Sequence, residues 1–248
     1  MKSLLSFLFF LSLTGFLIAQ DFEGVITMTT TEKEDMVLVF TVKGDKVLIE
    51  ADTDEGKVVT LSERSTNQVT TLFEREGKKF GMKMGPETMQ MIEQQGGFTK
   101  TGGKKGKMDI TVTKDTKTID GYNCTKVVGK DDEKEVEAWI TQELGFTVFD
   151  LMPSMMKKAI EQDGDSNLQQ EIMRRGFLLE GYETDLKTGE KNSIKLTVQK
   201  QKVDNDIFNG YSDYKIYDMT NMMQMMSELQ SDPEKMKEFE ELMKLIQN

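Results

Sequence analysis

Ser154 and Lys157 stand at the S-x-x-K spacing of penicillin-binding enzymes, and Lys100-Thr101-Gly102 and Lys187-Thr188-Gly189 each spell K-T-G. In that chemistry a lysine takes the serine proton and the triplet lines the acylation cleft, in the order S-x-x-K, S-D-N, K-T-G. Here Ser212-Asp213 comes last and Tyr214 stands where asparagine belongs. The flanking segments read as turns, so Ser154 is a surface serine on a short helix. Asp163-Gly164-Asp165-Ser166-Asn167 begins like a calcium loop, but Leu168 fills the glycine position and Arg174 the bidentate glutamate position. The glycine- and lysine-rich run 96–107 lacks the G-x-x-x-x-G-K-[ST] phosphate cradle.

The missing residue types narrow the chemistry further. There is no histidine, which removes the commonest general base and zinc ligand, and Cys124 is the single cysteine. It closes no internal disulfide and reads as a small buried hydrophobe. Met222 and Met226, four residues apart beside Met219 and Met223, present thioethers that suit Cu(I). With no histidine or nearby cysteine to tighten such a site, that reading ranks below packing. No catalysis, no cofactor and no metal are expected.

The chain has 248 residues and a formal net charge of −11. An acidic surface argues against nucleic acid and against adsorption to anionic membranes. Lys2, the apolar run 4–13 and the exit Leu17-Ile18-Ala19 have the form of a secretory signal peptide over residues 1–19. Gln20-Asp21 stand where a lipoprotein cysteine would. The expectation is a periplasmic or extracellular protein without an integral membrane span, since no later apolar stretch reaches about 18 residues.

Those groups are positioned by a long series of strands. Residues 25–29, 36–42, 46–50, 57–61, 68–73 and 79–84 are rich in Val, Ile, Thr and Phe and are separated by turn residues, which indicates antiparallel hairpins. Residues 36–42 are mostly apolar, as in a strand buried on both faces. Pro86 opens a helix to Gln95 with Met89 and Ile92 three apart. Strands resume at 108–113, 122–128 and 135–141. Helices follow at 151–162, with Met152, Met155 and Met156 on one side, and at 167–174, ended by Gly176 as by a C-terminal cap. Residues 178–186, 193–202 and 211–217 complete the strands. From Met219 the chain turns amphipathic and helical, with Met219, Met222, Met223 and Met226 recurring on one face. The fold class is α+β: a curved antiparallel half-barrel wrapping short helices over 20–218, then a Met-rich helical tail over 219–248. Such a sheet leaves an apolar cleft beneath its helices.

Residues 119–126 (Ile-Asp-Gly-Tyr-Asn-Cys-Thr-Lys), Glu137-Ala138-Trp139-Ile140-Thr141 and Glu143-Leu144-Gly145 resemble an uncharacterised family of secreted Gram-negative envelope proteins. Gly176-Phe177-Leu178-Leu179 and residues 203–208 resemble its closing strands. That family is similar to the LolA/LolB-type lipoprotein carriers, whose fold is a half-barrel plugged by helices. The likeness covers roughly Phe22 to Tyr217 and departs where Asn209-Gly210-Tyr211 replace an expected proline.

The resemblance implies a carrier of an apolar ligand or a lipoprotein acyl chain. Met89, Ile92, Trp139, Met152, Met155 and Met156 are the candidate ligand-binding residues. Methionine suits such a site because its flexible thioether adapts to varied shapes. The alternative is an interaction module docking on an envelope protein through Met219, Met222, Met223 and Met226.

Overall fold

The computed structural model describes residues 22–31, 36–53, 56–75, 77–94, 109–153, 157 and 168–221. Two antiparallel meanders supply nearly all of the structure. The first comprises β1 (Glu23–Thr30), β2 (Met36–Lys43), β3 (Lys46–Thr53), β4 (Gly56–Glu63), β5 (Gln68–Arg75) and β6 (Lys78–Met84). The second comprises β7 (Asp109–Ile119), β8 (Tyr122–Lys130), β9 (Lys134–Thr141), β10 (Phe177–Asp185) and β11 (Lys191–Lys200). β11 pairs antiparallel with β1, from Gly24 opposite Lys200 to Thr30 opposite Ile194, and this seam fuses the meanders. With β12 (Lys215–Asp218) the order is β12-β6-β5-β4-β3-β2-β1-β11-β10-β9-β8-β7, one curved, open half-barrel of 12 strands wrapping short helices.

The hairpin turns follow from backbone chemistry. Asp120 and Gly121 join Ile119 to Tyr122 with φ of 48° and 85°. Two consecutive positive φ values are what a two-residue hairpin turn needs to match strand twist, and Asp-Gly supplies them at low cost. Strand β7 therefore runs on through Lys114-Asp115 to Ile119, beyond the 108–113 read from propensity alone.

Three helices accompany the sheet, and the second and third pack on one of its faces. The three are α1 (Pro86–Gln94), α2 (Val148–Leu151) and α3 (Leu168–Met173). Asp150 accepts the Thr147 backbone N–H at 2.7 Å, half of a capping box that starts α2. Helix α3 seats Leu168 and Ile172, one turn apart and fully buried, over Gly129 of β8. A Cβ on Gly129 would lie 2.5 Å from Leu168 Cδ1, so the missing side chain sets how close α3 lies to the sheet. The main core joins α2 and α3 to Ile26, Phe40, Val42 and Val47 of the first meander and to Val136, Ala138, Leu179 and Leu196 of the second. Phe146 bridges Phe22 and Phe177, with ring centroids 5.1 and 5.2 Å away.

The opposite face of β3–β5 is also covered. Leu48, Val59 and Leu72 are buried beneath Val203, Phe208, Tyr211 and Tyr214. The segment 201–214 thus forms a strap with a short 3-10 turn at Asn205–Phe208. Burial from both sides explains why Phe40, Thr41 and Val42 of β2 are consecutively buried. The expected strand at 211–217 is a correction: Tyr211 and Tyr214 pack in the strap, and only Lys215–Asp218 pairs, in parallel with β6.

Both ends of the strap are pinned by carboxylates. Glu23 accepts the Val203 N–H at 2.6 Å while Lys43 donates to the Val203 carbonyl at 2.6 Å. At the far end Lys79 holds Asp213 at 2.7 Å. The Val203 N–H lowers the Glu23 carboxyl below its ordinary 4.5, and Lys79 lowers Asp213 below 3.8. A carboxyl lowered by folding contributes stability that is complete above its ordinary value and is lost as pH falls through the lowered one. Amide exchange along 203–214 is expected to accelerate below pH 3.8 before exchange in β1 and β11 does. Simultaneous acceleration in strap and seam would contradict this order.

Candidate functional site

Small residues meet on the helix face of the second meander. Ala138 of β9 lies opposite Gly181 of β10, and Gly181 opposite Ile194 of β11. A Cβ at Gly181 would sit 2.9 Å from Ile194 Cγ2, so the missing side chain lets Ile194 pack directly on the β10 backbone. Helix α3 brings Ile172 and Met173 to the same place. The result is a cavity of about 160 Å³ with Val136, Ala138, Leu178 and Ile194 in its lining. Its polar side is made by Thr30, Asn192, Ser193 and Glu183, and Glu183 is held by Lys134 at 2.7 Å. An apolar cavity of about 150 Å³ accommodates a benzene-sized molecule. The space therefore fits a ring or a short length of alkyl chain, whereas drug-sized ligands occupy about 300–1,000 Å³.

A second depression adjoins it along β9. Ile140, two residues from Ala138 and on the same face, joins Val112 of β7, Thr125 of β8, Asn123, Gln142, Glu143 and Arg175 around an open groove of about 570 Å³. The two hollows flank the end of α3. Gly176, expected as a left-handed helix cap, does not adopt positive φ. It instead passes close to β9, where a Cβ would lie 2.9 Å from the Thr141 carbonyl oxygen.

Trp139 belongs to the other face. In register it lies between Lys126 and Glu180, while its neighbour Ala138 lies between Val127 and Gly181. Lys117 stacks over the indole at 4.4 Å and pairs with Glu180 at 2.8 Å, and Glu180 also accepts the Tyr182 hydroxyl. Burial raises the Glu180 carboxyl, but the Lys117 and Tyr182 hydrogen bonds outweigh it and hold the group below its ordinary value. Burial likewise pushes the Cys124 thiol up, and the nearly enclosed thiol donates to the Tyr122 carbonyl. Lys187-Thr188-Gly189 forms the turn after β10, where Asp185 accepts the Lys187 and Thr188 N–H groups at 2.8 Å each. These polar groups hold each other and the backbone.

Among the described residues, Ile92, Trp139, Met152 and Met219 line neither hollow. Ile92 is half-buried on α1, which follows β6, and Met152 packs on the main core just after α2. Met89 lies within α1 but its side chain is outside the described residues, as are Met155, Met156, Met222, Met223 and Met226. Met219 packs beside Phe80, Phe73 and Tyr217, and Thr220 bonds Thr88 of α1 at 2.6 Å, so the start of the tail is held against the edge of the first meander. Sequence reading missed Ala138, Gly181, Ile194 and Arg175. The small pair is visible as residue types, but its alignment needs the β9–β10 register. Among the described residues no cluster of three or more His, Cys, Asp or Glu is placed to hold a metal. No helix among them is long and apolar enough to cross a membrane.

The family profile described as "Domain of unknown function (DUF4412)" matches residues 22–214. No curated protein matches the sequence. Among solved structures the chain is similar to PNGF-II in its C2 crystal form, at 18% identity and a TM-score of 0.40. It is also similar to the P21 form, at 17% and 0.38. In both comparisons 81% of this chain is covered but 32% of the other, so the chain spans about a third of the length of the proteins it matches.

Proposed function

The chain belongs to the DUF4412 family, and from that premise we propose that it binds an apolar ligand or the acyl chain of a lipoprotein on the helix face of its half-barrel, without catalysis. The supporting observation is the half-open cleft of about 160 Å³ lined by Val136, Ala138, Ile172, Met173, Leu178 and Ile194. Apolar surface in such a cleft gains when a ligand's alkyl or ring carbons replace water on it. Each methylene that enters contributes about 0.8 kcal/mol. The signal-like residues 1–19 and the resemblance to LolA/LolB-type carriers support the periplasm or the cell exterior as the compartment of this proposed activity.

Native mass spectrometry of the protein, purified from a bacterial envelope without detergent, tests the proposal. The expected result is an added mass that organic solvent removes and that disappears in Met173→Trp, which crowds the roof of the cavity. A clean mass together with no uptake of a fluorescent fatty acid would overturn it.

A further inference from the structure

We infer that the groove beside Arg175 is a binding site for a single-chain amphiphile with an oxyanion head group. The alkyl chain lies over Val112, Thr125 and Ile140, and the head group meets the Arg175 guanidinium. This goes beyond ligand binding in the cavity, because it concerns a different hollow and assigns a charge to the ligand.

Three observations carry the inference. The first is an exposed aliphatic side chain, Val112, at the mouth of a groove whose base is the buried Ile140. Val112 is 52% exposed although it is an aliphatic strand residue facing the helix side, opposite Val127. The β7–β8 pairing slips between Val112 and Thr116, and a bulge of this kind bends an edge strand and re-aims its side chains. At about 570 Å³ the groove has the size of a ligand site rather than of a packing defect.

The second is a cation with unused donors. Arg64 donates to the Gly44 and Asp150 carbonyls, Arg174 stacks on Phe149, and Arg75 is also engaged. Among the described residues the Arg175 guanidinium makes neither an ion pair nor a hydrogen bond. Its planar fork matches a carboxylate or phosphate oxygen pair better than an ammonium would.

The third is a fixed position. The Arg175 N–H donates to the Ile172 carbonyl at 3.0 Å, the Gln142 amide donates to the Arg175 carbonyl, and Gly176 is tight against Thr141. The backbone at the groove rim is thus held while the side chain is left to bind.

Glu143 also borders the groove and sets the limit on charge. Its Oε1 is engaged by Asn123, whose side-chain amide donates at 2.8 Å and whose backbone N–H donates at 3.3 Å. One positive and one negative group around the groove favour a singly charged head over a doubly charged one.

Isothermal titration of the full chain with dodecanoate, dodecyltrimethylammonium and acetate, all below micelle formation, tests this. Dodecanoate is expected to bind about tenfold tighter than the cationic amphiphile, and acetate not measurably. Arg175→Gln removes that preference, Val112→Asp weakens dodecanoate by a similar factor, and both residues are exposed enough for the variants to fold. Met173→Trp, which blocks the cavity, leaves the preference in place. Preference surviving Arg175→Gln overturns the inference, as does equal binding of acetate or loss of dodecanoate binding in Met173→Trp alone. Failure of the cavity proposal reads out separately, as an added mass and fatty-acid uptake that Met173→Trp leaves unchanged, or as neither in the wild type.

Discussion

Gly24→Ala is expected to destabilise the protein by about 3 kcal/mol, seen as a lower urea midpoint with an unchanged slope. Gly24 sits in β1 opposite Lys200 of β11 and Val42 of β2. A Cβ there would lie 2.2 Å from the Gln199 carbonyl oxygen and 3.1 Å from its carbon. These are backbone atoms of the partner strand, so no rotamer change relieves the clash and the strands must part. The separation opens the seam between the two meanders beside Glu23, the residue that anchors Val203 of the strap. Gly85→Ala is the control, since nothing lies within 4 Å of its Cβ position. That substitution should be neutral or stabilise by up to about 1 kcal/mol through the unfolded chain. A Gly24→Ala midpoint within about 1 kcal/mol of wild type would mean that β1 and β11 are not in the close register described.

Phe208→Ala carries the second large effect, about 3 kcal/mol in the same measurement. Phe208 is 8% exposed and, with Val203, covers Leu48, Val59 and Leu72, each at most 1% exposed. Truncation leaves a gap over a sheet face with no second layer beneath the strap. The cost stays at the lower end of the range for buried phenylalanine, because a site near the surface relaxes more readily than the middle of a core. Cavity and groove lie on the opposite face, so dodecanoate affinity should be unchanged in Phe208→Ala while stability falls. Loss of both would show that strap and helix face unfold as one unit at the concentrations of the assay.

The resemblance segments acquire a physical meaning in the fold. Asp120-Gly121 provides the two positive φ values of the β7–β8 turn, Cys124 is 1% exposed, and Trp139 stacks with Lys117. All three serve the hairpin and the sheet face away from α3. Alternation along Glu137-Ala138-Trp139-Ile140 already states that Trp139 and Ala138 face opposite ways. It does not state which of the two faces receives the helices, and only the fold puts Ala138 rather than Trp139 on the helix side.

Residue types and spacing by themselves determined that the chain lacks the histidine and paired-cysteine chemistries, where most strands run, and that short helices accompany an antiparallel sheet. Those properties are local: side-chain alternation, turn residues and a proline at a helix start act within a few residues. Tertiary structure alone decided that β11 joins β1, that 201–214 straps the second face, that β12 adds in parallel to β6, and that Arg175 ends beside Val112. Period-two alternation is satisfied by many pairings, and a strap without regular periodicity carries no local signal of what it covers. Burial between segments separated by more than a hundred residues selects among them, and both hollows beside α3 are products of that selection.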